Sequence, residues 1–192
     1  VSVARRVLEA TPHVLLAGRG ADEFALSQGF RPANCVSPEM YAAWRKAADL
    51  MAGGISSGVS PFTGLPADAV HSCDTVGCVV ADGSGLAAAS STGGSFLKLP
   101  GRVGDTPVIG GGIFASARCA VVCTGLGEAF IETLTASHVD SLIARGLHPL
   151  EAAEKALYRL IEKRGATGGF LVVDSLNRWG AAHNAHSFPV AL

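Results

Sequence analysis

The sequence predicts an α+β fold in which helices stack on a central sheet or sheets. In the second half of the chain, the hydrophobic patterns follow one another as two strands, a loop, a strand, two helices and two strands. Because the strands are grouped and do not alternate singly with helices, this layered class is favoured over a doubly wound parallel sheet. The 192 residues, 48% of them hydrophobic and 16% charged, are enough for one soluble domain with a sizeable core.

The first part of the chain predicts three helices and one short strand. The opening residues carry their apolar side chains on one side of a helix, and residues 13–17 (HVLLA) are typical of a short buried strand. A second helix is expected at 20–28, ending at Gly29, and a third at 38–51. Residues 52–74 are rich in Gly, Ser and Pro without periodicity, which indicates a flexible linker.

The second half is more regular. Residues 75–82 and 86–92 flank a Gly-Ser-Gly turn, which predicts a β-hairpin of two buried strands. A helix is expected from about residue 128 to 145, with an apolar stripe that includes Leu134 and Leu142. The other predicted elements are a glycine-rich loop at 100–112, a strand at 119–123, a helix from Pro149 to Lys163 and a closing hairpin of residues 168–175 and 179–185.

Charge and hydropathy exclude several classes of function. The net charge is −1 and there is no run of Lys or Arg, so we expect neither nucleic-acid nor membrane binding and favour small-molecule or peptide chemistry. No apolar run approaches the ~20 residues of a membrane span. The opening residues lack the pattern of a signal peptide, which predicts a cytoplasmic protein. Because the chain opens on Val1 in the middle of a helical pattern, we expect an upstream segment to be missing.

The five cysteines form no CxxC pair and predict reduced thiols. Cys78, Cys119 and Cys123 lie in apolar runs, where a buried small side chain is favoured over a reactive one. His183 and His186 are three residues apart, but no further ligand stands at a suitable spacing. We therefore expect no metal and no cofactor.

Thr75 is the candidate nucleophile. It follows an acidic residue, Asp74, at the first position of a strand and directly after the predicted linker, although an ordinary β-branched strand residue would give the same local pattern. If the bond between the two were cut, the new α-amine could act as general base for the Thr75 hydroxyl. Its ordinary pKa of roughly 7.7–8.0 leaves it partly deprotonated near neutral pH, so no histidine is required.

Several motifs carry a resemblance to a known family. The run DTVGCVVADGSGLAAASSTGGSFLKLPGRVGDTPVIGGG at 74–112, TGLGE at 124–128 and TGGFLVVDS at 167–175 occur in one order. In these motifs the chain resembles the N-terminal-nucleophile hydrolases that include plant-type asparaginases, isoaspartyl peptidases, aspartylglucosaminidases and threonine aspartases. The resemblance implies a layered αββα sandwich forming one structural domain, whose amino-terminal strands we expect to be missing from this chain.

The same resemblance implies a division into subunits. Residues 1–74 match the remnant of an α-subunit with its linker, and residues 75–192 match a β-subunit that begins at the nucleophile. Self-cleavage between Asp74 and Thr75 would produce an α/β heterodimer, and two heterodimers are expected to associate.

The resemblance also implies a role for each matching site residue. Thr75 matches the nucleophile, and Thr92 matches the threonine whose hydroxyl orients it. Arg102 and Asp105 match a clamp for the α-carboxylate and the α-ammonium of the substrate. A surface ion pair of little energetic value is the alternative for these two residues.

The TGLGE motif implies the groups that stabilise negative charge. Thr124 and Gly125, with Gly127, match the oxyanion hole and further substrate contacts. Small residues at a junction between a strand and a helix leave backbone N–H groups accessible to an anion. The alternative is a glycine turn that serves backbone geometry alone.

The resemblance implies an autoproteolytically activated amidohydrolase that cleaves L-asparagine and β-aspartyl dipeptides. Asp105 favours these small substrates over the protein substrates of a threonine aspartase, because its charge suits a free α-ammonium. Two alternatives stay open: an inactive or partner-dependent truncated member of the family, and a threonine-aspartase-like endopeptidase.

Overall fold

The computed structural model describes residues 1–52, 75–96 and 98–192. The chain groups into two compact units. The first comprises Val1–Ser72 and Ser95–Arg102, and the second comprises Cys73–Gly94 and Val103–Leu192. The predicted linker from residue 53 onward, and with it Asp74, lies outside the described residues.

The first unit is helical. Its helices are α1 (Ser2–Ala10), α2 (Gly18–Ser27) and α3 (Pro38–Ala52), which confirms the three helices predicted there. Gly29 follows α2 with a φ of 84°, a left-handed conformation that ends the helix at the predicted place.

The short buried strand predicted at 13–17 is wrong. Val14 is 70% exposed and Leu15 is 59% exposed, and neither residue belongs to a strand. A strand needs a neighbour to pair its backbone N–H and C=O groups, and the described part of the first unit contains only helices and connections. A short apolar run can form a strand only where another strand is available to pair with it.

The described residues of the second unit form two antiparallel sheets and three helices. The hairpin is formed by β1 (Val76–Asp82) and β2 (Gly85–Ser91). The larger sheet has the order β3-β4-β5-β6, in which every neighbouring pair is antiparallel. Its strands are β3 (Ile113–Ala115), β4 (Cys119–Gly125), β5 (Gly168–Asp174) and β6 (Trp179–His183), and the helices are α4 (Gly127–Thr133), α5 (Thr135–Ile143) and α6 (Pro149–Arg164).

The larger sheet separates the hairpin from the helices. On one face, buried side chains of β4 and β5 pack against α5 and α6 in a core that includes Val121, Phe170 and Leu160. On the other face, the hairpin approaches β4 so closely that a Cβ added to Gly77 would lie 2.8 Å from Val122 Cγ2. This grouping of strands and helices confirms the predicted α+β class.

The helix predicted from about 128 to 145 is interrupted. Leu134 adopts a left-handed conformation (φ 47°, ψ 51°), which ends α4 and begins α5. The backbone N–H groups of Ala136 and Ser137 donate to the carbonyls of Gly111 and Gly110, at 3.0 Å in both cases. The glycine loop thus satisfies the first turn of α5, and Leu134 is 50% exposed instead of lying on the predicted apolar stripe.

Two predictions about strands also need correction. The sequence pattern predicted a loop through residues 100–112 followed directly by β4, and it missed the three-residue strand β3. The hairpin is not fully buried, because Val76 is 66% exposed and Val80 is 47% exposed. These two side chains and the exposed Cys78 alternate along β1 with residues that face the larger sheet, so one face of the hairpin is open to solvent in the described structure.

Among the described residues, no helix is both long and apolar enough to cross a bilayer.

A partly buried ion pair ties α5 to the loop before β4. Asp140 is 6% exposed and accepts hydrogen bonds from Ser116 Oγ at 2.6 Å and from the guanidinium of Arg118. Burial alone would raise the pKa of Asp140, but the hydrogen bonds from Arg118 and Ser116 outweigh it and hold the pKa below its ordinary value of 3.8. The folded state therefore favours the carboxylate form.

This lowered pKa predicts a loss of stability in acid. The contribution of Asp140 should be fully present above about pH 4 and should disappear as the pH falls through the lower pKa of the folded state. Asp140→Asn should reduce the free energy of unfolding at pH 7 by about 1–3 kcal/mol and flatten its dependence on pH below 4. Urea unfolding at several pH values would measure both effects, with Asp22→Asn on the exposed face of α2 as the matched control.

The cysteines of β4 and the cysteine of β1 differ in environment. Burial and then the charge of Asp140 raise the pKa of Cys119 to about 12. Burial and then the charge of Asp105 raise the pKa of Cys123 well above its ordinary value. The prediction of buried cysteines is therefore confirmed for these two and wrong for Cys78, which is exposed.

These environments predict selective reaction with a thiol reagent. Because the thiolate is the reactive form, Cys35 and Cys78 should be labelled in the folded protein, while Cys119 and Cys123 should be labelled only after unfolding. Peptide mapping by mass spectrometry, with and without denaturant, measures the four sites separately. Rapid labelling of Cys123 in the folded state would contradict the packing described above.

Candidate active site

Thr75 lies opposite Thr92 at the open end of the hairpin. The strands pair Val76 with Ser91, so the next pair outward brings the two threonines together. Thr75 Oγ1 donates a hydrogen bond to Thr92 Oγ1 at 3.2 Å. Thr75 is partly buried. The structure thus joins the predicted nucleophile and its predicted orienting residue.

Thr92 Oγ1 also accepts a hydrogen bond from the backbone N–H of Gly94 at 3.0 Å. This bond spans two residues and fixes the direction of the Thr92 side chain by local backbone geometry. With its acceptor held in place, the rotamer of Thr75 is restrained in turn. The arrangement can hold a hydroxyl ready for attack on a carbonyl carbon.

Thr124 lies near the end of β4 and has an unusual environment. Its Oγ1 atom is buried and has no hydrogen-bond partner among the residues that the structure describes. A buried hydroxyl in this state costs about 1–3 kcal/mol, so it calls for an explanation. Thr124 is two residues beyond Val122, which faces the hairpin, so alternation along the strand directs Thr124 toward the layer that carries Thr75.

Gly125 and Gly127 lie where β4 runs into α4. Gly125 has a φ of 142°, and a Cβ at this position would lie 2.3 Å from the carbonyl oxygen of Thr167. Only glycine fits here without displacing the neighbouring backbone. Gly127 is buried and opens α4, whose amino end has no side-chain cap from the N-cap residue Leu126. The motif therefore has the geometry of a tight junction that keeps backbone groups near Thr124.

The two predicted clamp residues fall in different units. Asp105 belongs to the second unit, where the residue is 7% exposed, and a Cβ added to Gly112 would lie 2.5 Å from its Oδ2 atom. Arg102 belongs to the first unit, where its backbone N–H donates to the carbonyl of Leu99 at 3.0 Å. Their joint action as a clamp stays a prediction.

Gly112 is a residue that sequence reasoning did not single out. It leaves the space that the Asp105 carboxylate occupies, and its backbone N–H donates to the carbonyl of Asp105 at 3.2 Å. The signal available in the sequence was the run of three glycines at 110–112. Asp74 lies outside the described residues, so self-cleavage stays a prediction. Within the described ranges, no three His, Cys, Asp or Glu side chains cluster closely enough to hold a metal ion.

Comparison with known proteins agrees with these motifs. A family model described as asparaginase matches residues 1–191. The chain is 42% identical over 178 residues to an isoaspartyl peptidase of Salmonella typhimurium, an alignment that covers 91% of this chain and 56% of that protein. It is 38% identical to a plant-type L-asparaginase of Pyrococcus abyssi, covering 96% of this chain and 61% of that one.

A third relative has a different name. The chain is 35% identical to an N(4)-(beta-N-acetylglucosaminyl)-L-asparaginase of Elizabethkingia miricola, covering 94% of this chain and 53% of the relative. The chain thus spans between 53% and 61% of the lengths of these three proteins. Because the family match runs over nearly the whole chain, this protein belongs to the asparaginase family.

Proposed function

We propose that this protein is an N-terminal-nucleophile hydrolase that cuts itself between Asp74 and Thr75 and then cleaves L-asparagine and β-aspartyl dipeptides. The hydrogen bond from Thr75 Oγ1 to Thr92 Oγ1 carries the proposal, because it links the two hydroxyls that this chemistry needs. The relatives named isoaspartyl peptidase and plant-type L-asparaginase support the substrate class.

Self-cleavage would use the same hydroxyl as turnover. Thr75 Oγ1 attacks the carbonyl carbon of Asp74, the peptide C–N bond breaks, and the nitrogen becomes the α-amine of Thr75. Water then hydrolyses the ester that joins Asp74 to Thr75 Oγ1, which releases a carboxylate on Asp74. The free α-amine has an ordinary pKa of roughly 7.7–8.0 and can act as a base near neutral pH.

In turnover, the α-amine takes the proton of Thr75 Oγ1 while the oxygen attacks the side-chain carbonyl of the substrate. Negative charge develops on the carbonyl oxygen, where the Thr124 hydroxyl and the backbone N–H of Gly125 would donate hydrogen bonds. The α-ammonium returns a proton to the departing ammonia or amino acid, which leaves a β-aspartyl ester on Thr75. Water hydrolyses this ester to release aspartate. The Thr124 hydroxyl, which is buried and has no partner among the described residues, supports this role.

Substrate selection would come from the two clamp residues. Arg102 suits an α-carboxylate, because a guanidinium can bind it with two parallel hydrogen bonds. Asp105 suits an α-ammonium, which favours free asparagine and β-aspartyl dipeptides over the interior of a protein. The loss caused by Asp105→Ala should therefore fall mainly on small substrates, whereas an endopeptidase of the threonine-aspartase type would not need this charge.

The proposed assembly follows from the cut. Residues 1–74 and 75–192 would form the α- and β-subunits of a heterodimer with an αββα arrangement, and two heterodimers would associate. The described structure has three layers, namely the hairpin, the larger sheet and the helices on the opposite face of that sheet. These layers support the αββα arrangement.

A second candidate is a family member that acts only with a partner or does not catalyse. The observation that favours it is the open face of the hairpin, where Val76 and Val80 are 66% and 47% exposed. Apolar side chains in such a row commonly pack against another element. This candidate predicts an uncut, inactive protein, and its partner-dependent form would become active when the partner is supplied.

Intact-mass measurement and a substrate assay test the proposed function together. The purified chain should separate into two pieces split before Thr75, and it should release ammonia from asparagine and aspartate from β-aspartyl dipeptides. A chain that stays whole and hydrolyses neither substrate would contradict the proposal and favour the second candidate. Size-exclusion chromatography of the same sample would distinguish the heterodimer from larger assemblies.

A further inference from the structure

Asn184, the first residue after β6, holds the connection that leads from α6 into β5. Its Oδ1 atom accepts a hydrogen bond from the backbone N–H of Gly168 at 2.7 Å, and its Nδ2 atom donates to the carbonyl of Ala166 at 3.2 Å. Its own backbone N–H donates to the carbonyl of Gly168 at 3.1 Å. The side chain therefore acts like a further peptide group and extends the β5–β6 pairing beyond His183.

The segment held by Asn184 lies directly against the end of β4. The backbone N–H of Leu126 donates to the carbonyl of Thr167 at 3.1 Å, and the β4–β5 pairing ends with Gly125 opposite Gly168. The space at Gly125 is so small that an added Cβ would lie 2.7 Å from the Cα atom of Gly168. A shift of residues 166–168 would therefore be transmitted to Gly125 and Leu126.

We propose that Asn184 is a positioning residue for the backbone that follows Thr124. The inference rests on the proposed function, in which the Thr124 hydroxyl and the Gly125 N–H stabilise the oxyanion. Asn184 acts on them through residues 166–168, not by contact with the substrate. An oxyanion donor must be held close to its productive position, because small displacements weaken the interaction at the moment when charge develops.

A purely structural role for Asn184 predicts a different outcome. Asn184 is exposed, and the chain after it packs against the sheet through Phe188. The Phe188 ring lies over Gly169 and stacks on the ring of His183, with 5.4 Å between the ring centroids. If Asn184 only helped to hold this tail, its loss would lower stability without changing the chemical step. The two roles are separable by measuring local backbone opening and catalytic constants in the same variants.

Hydrogen exchange measures the structural half of the inference. In Asn184→Ala, the backbone amides of Gly168 and Leu126 should exchange about tenfold faster, as expected when a hydrogen bond that restrains them is lost. Amides of the β1–β2 hairpin should exchange as in the unchanged protein. Unchanged exchange at Leu126 would overturn the inference, whether or not the protein is active.

Kinetics measure the catalytic half. Because oxyanion donors act mainly in the transition state, Asn184→Ala should lower kcat by about tenfold and change KM by less than about twofold. Asn184→Asp retains the acceptor for Gly168 but sets a carboxylate oxygen against the carbonyl of Ala166, so its kcat should also lie below that of the unchanged protein. This variant guards against failure of the alanine variant to fold. Faster exchange at Leu126 with an unchanged kcat would also overturn the inference.

A matched control uses Asn34, an exposed amide in the first unit whose Oδ1 atom accepts from the N–H of Val36 at 3.1 Å. Asn34→Ala should change neither kcat nor exchange at Leu126. If the unchanged protein hydrolyses no substrate, the proposed function fails, and the exchange data still decide whether Asn184 holds the backbone beside Thr124.

Discussion

Thr75→Ala is expected to remain a single uncut chain and to lose hydrolysis of asparagine and β-aspartyl dipeptides by about 10⁴–10⁶-fold, the range found when a catalytic nucleophile is removed. Without Oγ1, neither the Asp74 carbonyl nor the substrate carbonyl can be attacked. Intact-mass measurement reports the first loss, and product release reports the second. The two losses should occur together, because one atom performs both attacks.

Two further variants distinguish loss of the nucleophile from loss of structure. Thr75→Ser keeps the hydroxyl and should retain self-cleavage and measurable hydrolysis. Thr11→Ala removes a partly buried threonine hydroxyl that donates to the carbonyl of Val7 at 2.8 Å in the first unit, and it should change neither reaction. A Thr75→Ala protein that is cut before residue 75, or that turns over substrate, would contradict the assignment of the nucleophile.

The hydrogen bonds of Thr92 predict that its substitution lowers activity only partly, whereas Thr75→Ala should abolish it. Thr92→Val keeps the shape of the side chain but removes the acceptor for the 3.2 Å bond from Thr75 and the 3.0 Å bond from Gly94. Loss of an orienting hydrogen bond should lower kcat by about 10–100-fold, less than the loss of the nucleophile itself. A Thr92→Val variant as inactive as Thr75→Ala would indicate a direct chemical role for Thr92.

The hairpin that carries these two threonines could be predicted from the sequence because its cause is local, whereas their pairing was implied only by the resemblance to the family. Asp82 Oδ1 accepts hydrogen bonds from the backbone N–H groups of Ser84 and Gly85, at 2.7 Å and 3.1 Å. A turn fixed in this way sets the register of the whole hairpin. Strands at 75–82 and 86–92 around a three-residue turn would place Thr75 opposite Gly93. The structure instead pairs Asp82 with Gly85, which brings Thr75 opposite Thr92, so the sequence pattern alone missed the register by one residue.

Features that depend on distant parts of the chain could not be predicted in the same way. The break at Leu134 arises because the carbonyls of Gly110 and Gly111 accept the N–H groups that open α5. The exposure of Val14 and of Val80 depends on which element covers each of them, and a hydrophobic pattern carries no information about the covering partner. That the Thr124 hydroxyl has no partner in the described ranges is likewise a property of packing between sheet layers.

Thr124→Val is expected to lower hydrolysis and leave the fold at least as stable. Valine has nearly the same shape and removes a buried hydroxyl that has no partner in the described structure, so the free energy of unfolding should stay equal or rise by up to about 1 kcal/mol. Loss of an oxyanion donor typically lowers kcat by about 10²–10³-fold. Urea unfolding and steady-state kinetics measure the two effects on one sample.

Ser90→Ala is the matched control for this prediction. Ser90 Oγ is also buried without a partner in the part of the chain that the structure describes, but no role in catalysis is assigned to it. Its removal should leave stability equal or slightly raised, as for Thr124, while hydrolysis stays unchanged. If both variants lost activity equally, packing between the layers would explain the effect. If Thr124→Val kept full activity, the Thr124 hydroxyl would not bind the oxyanion. If only Thr124→Val lost activity, and without a loss of stability, the hydroxyl would be needed for the reaction. That need would explain why an unpaired hydroxyl is buried here in the described structure.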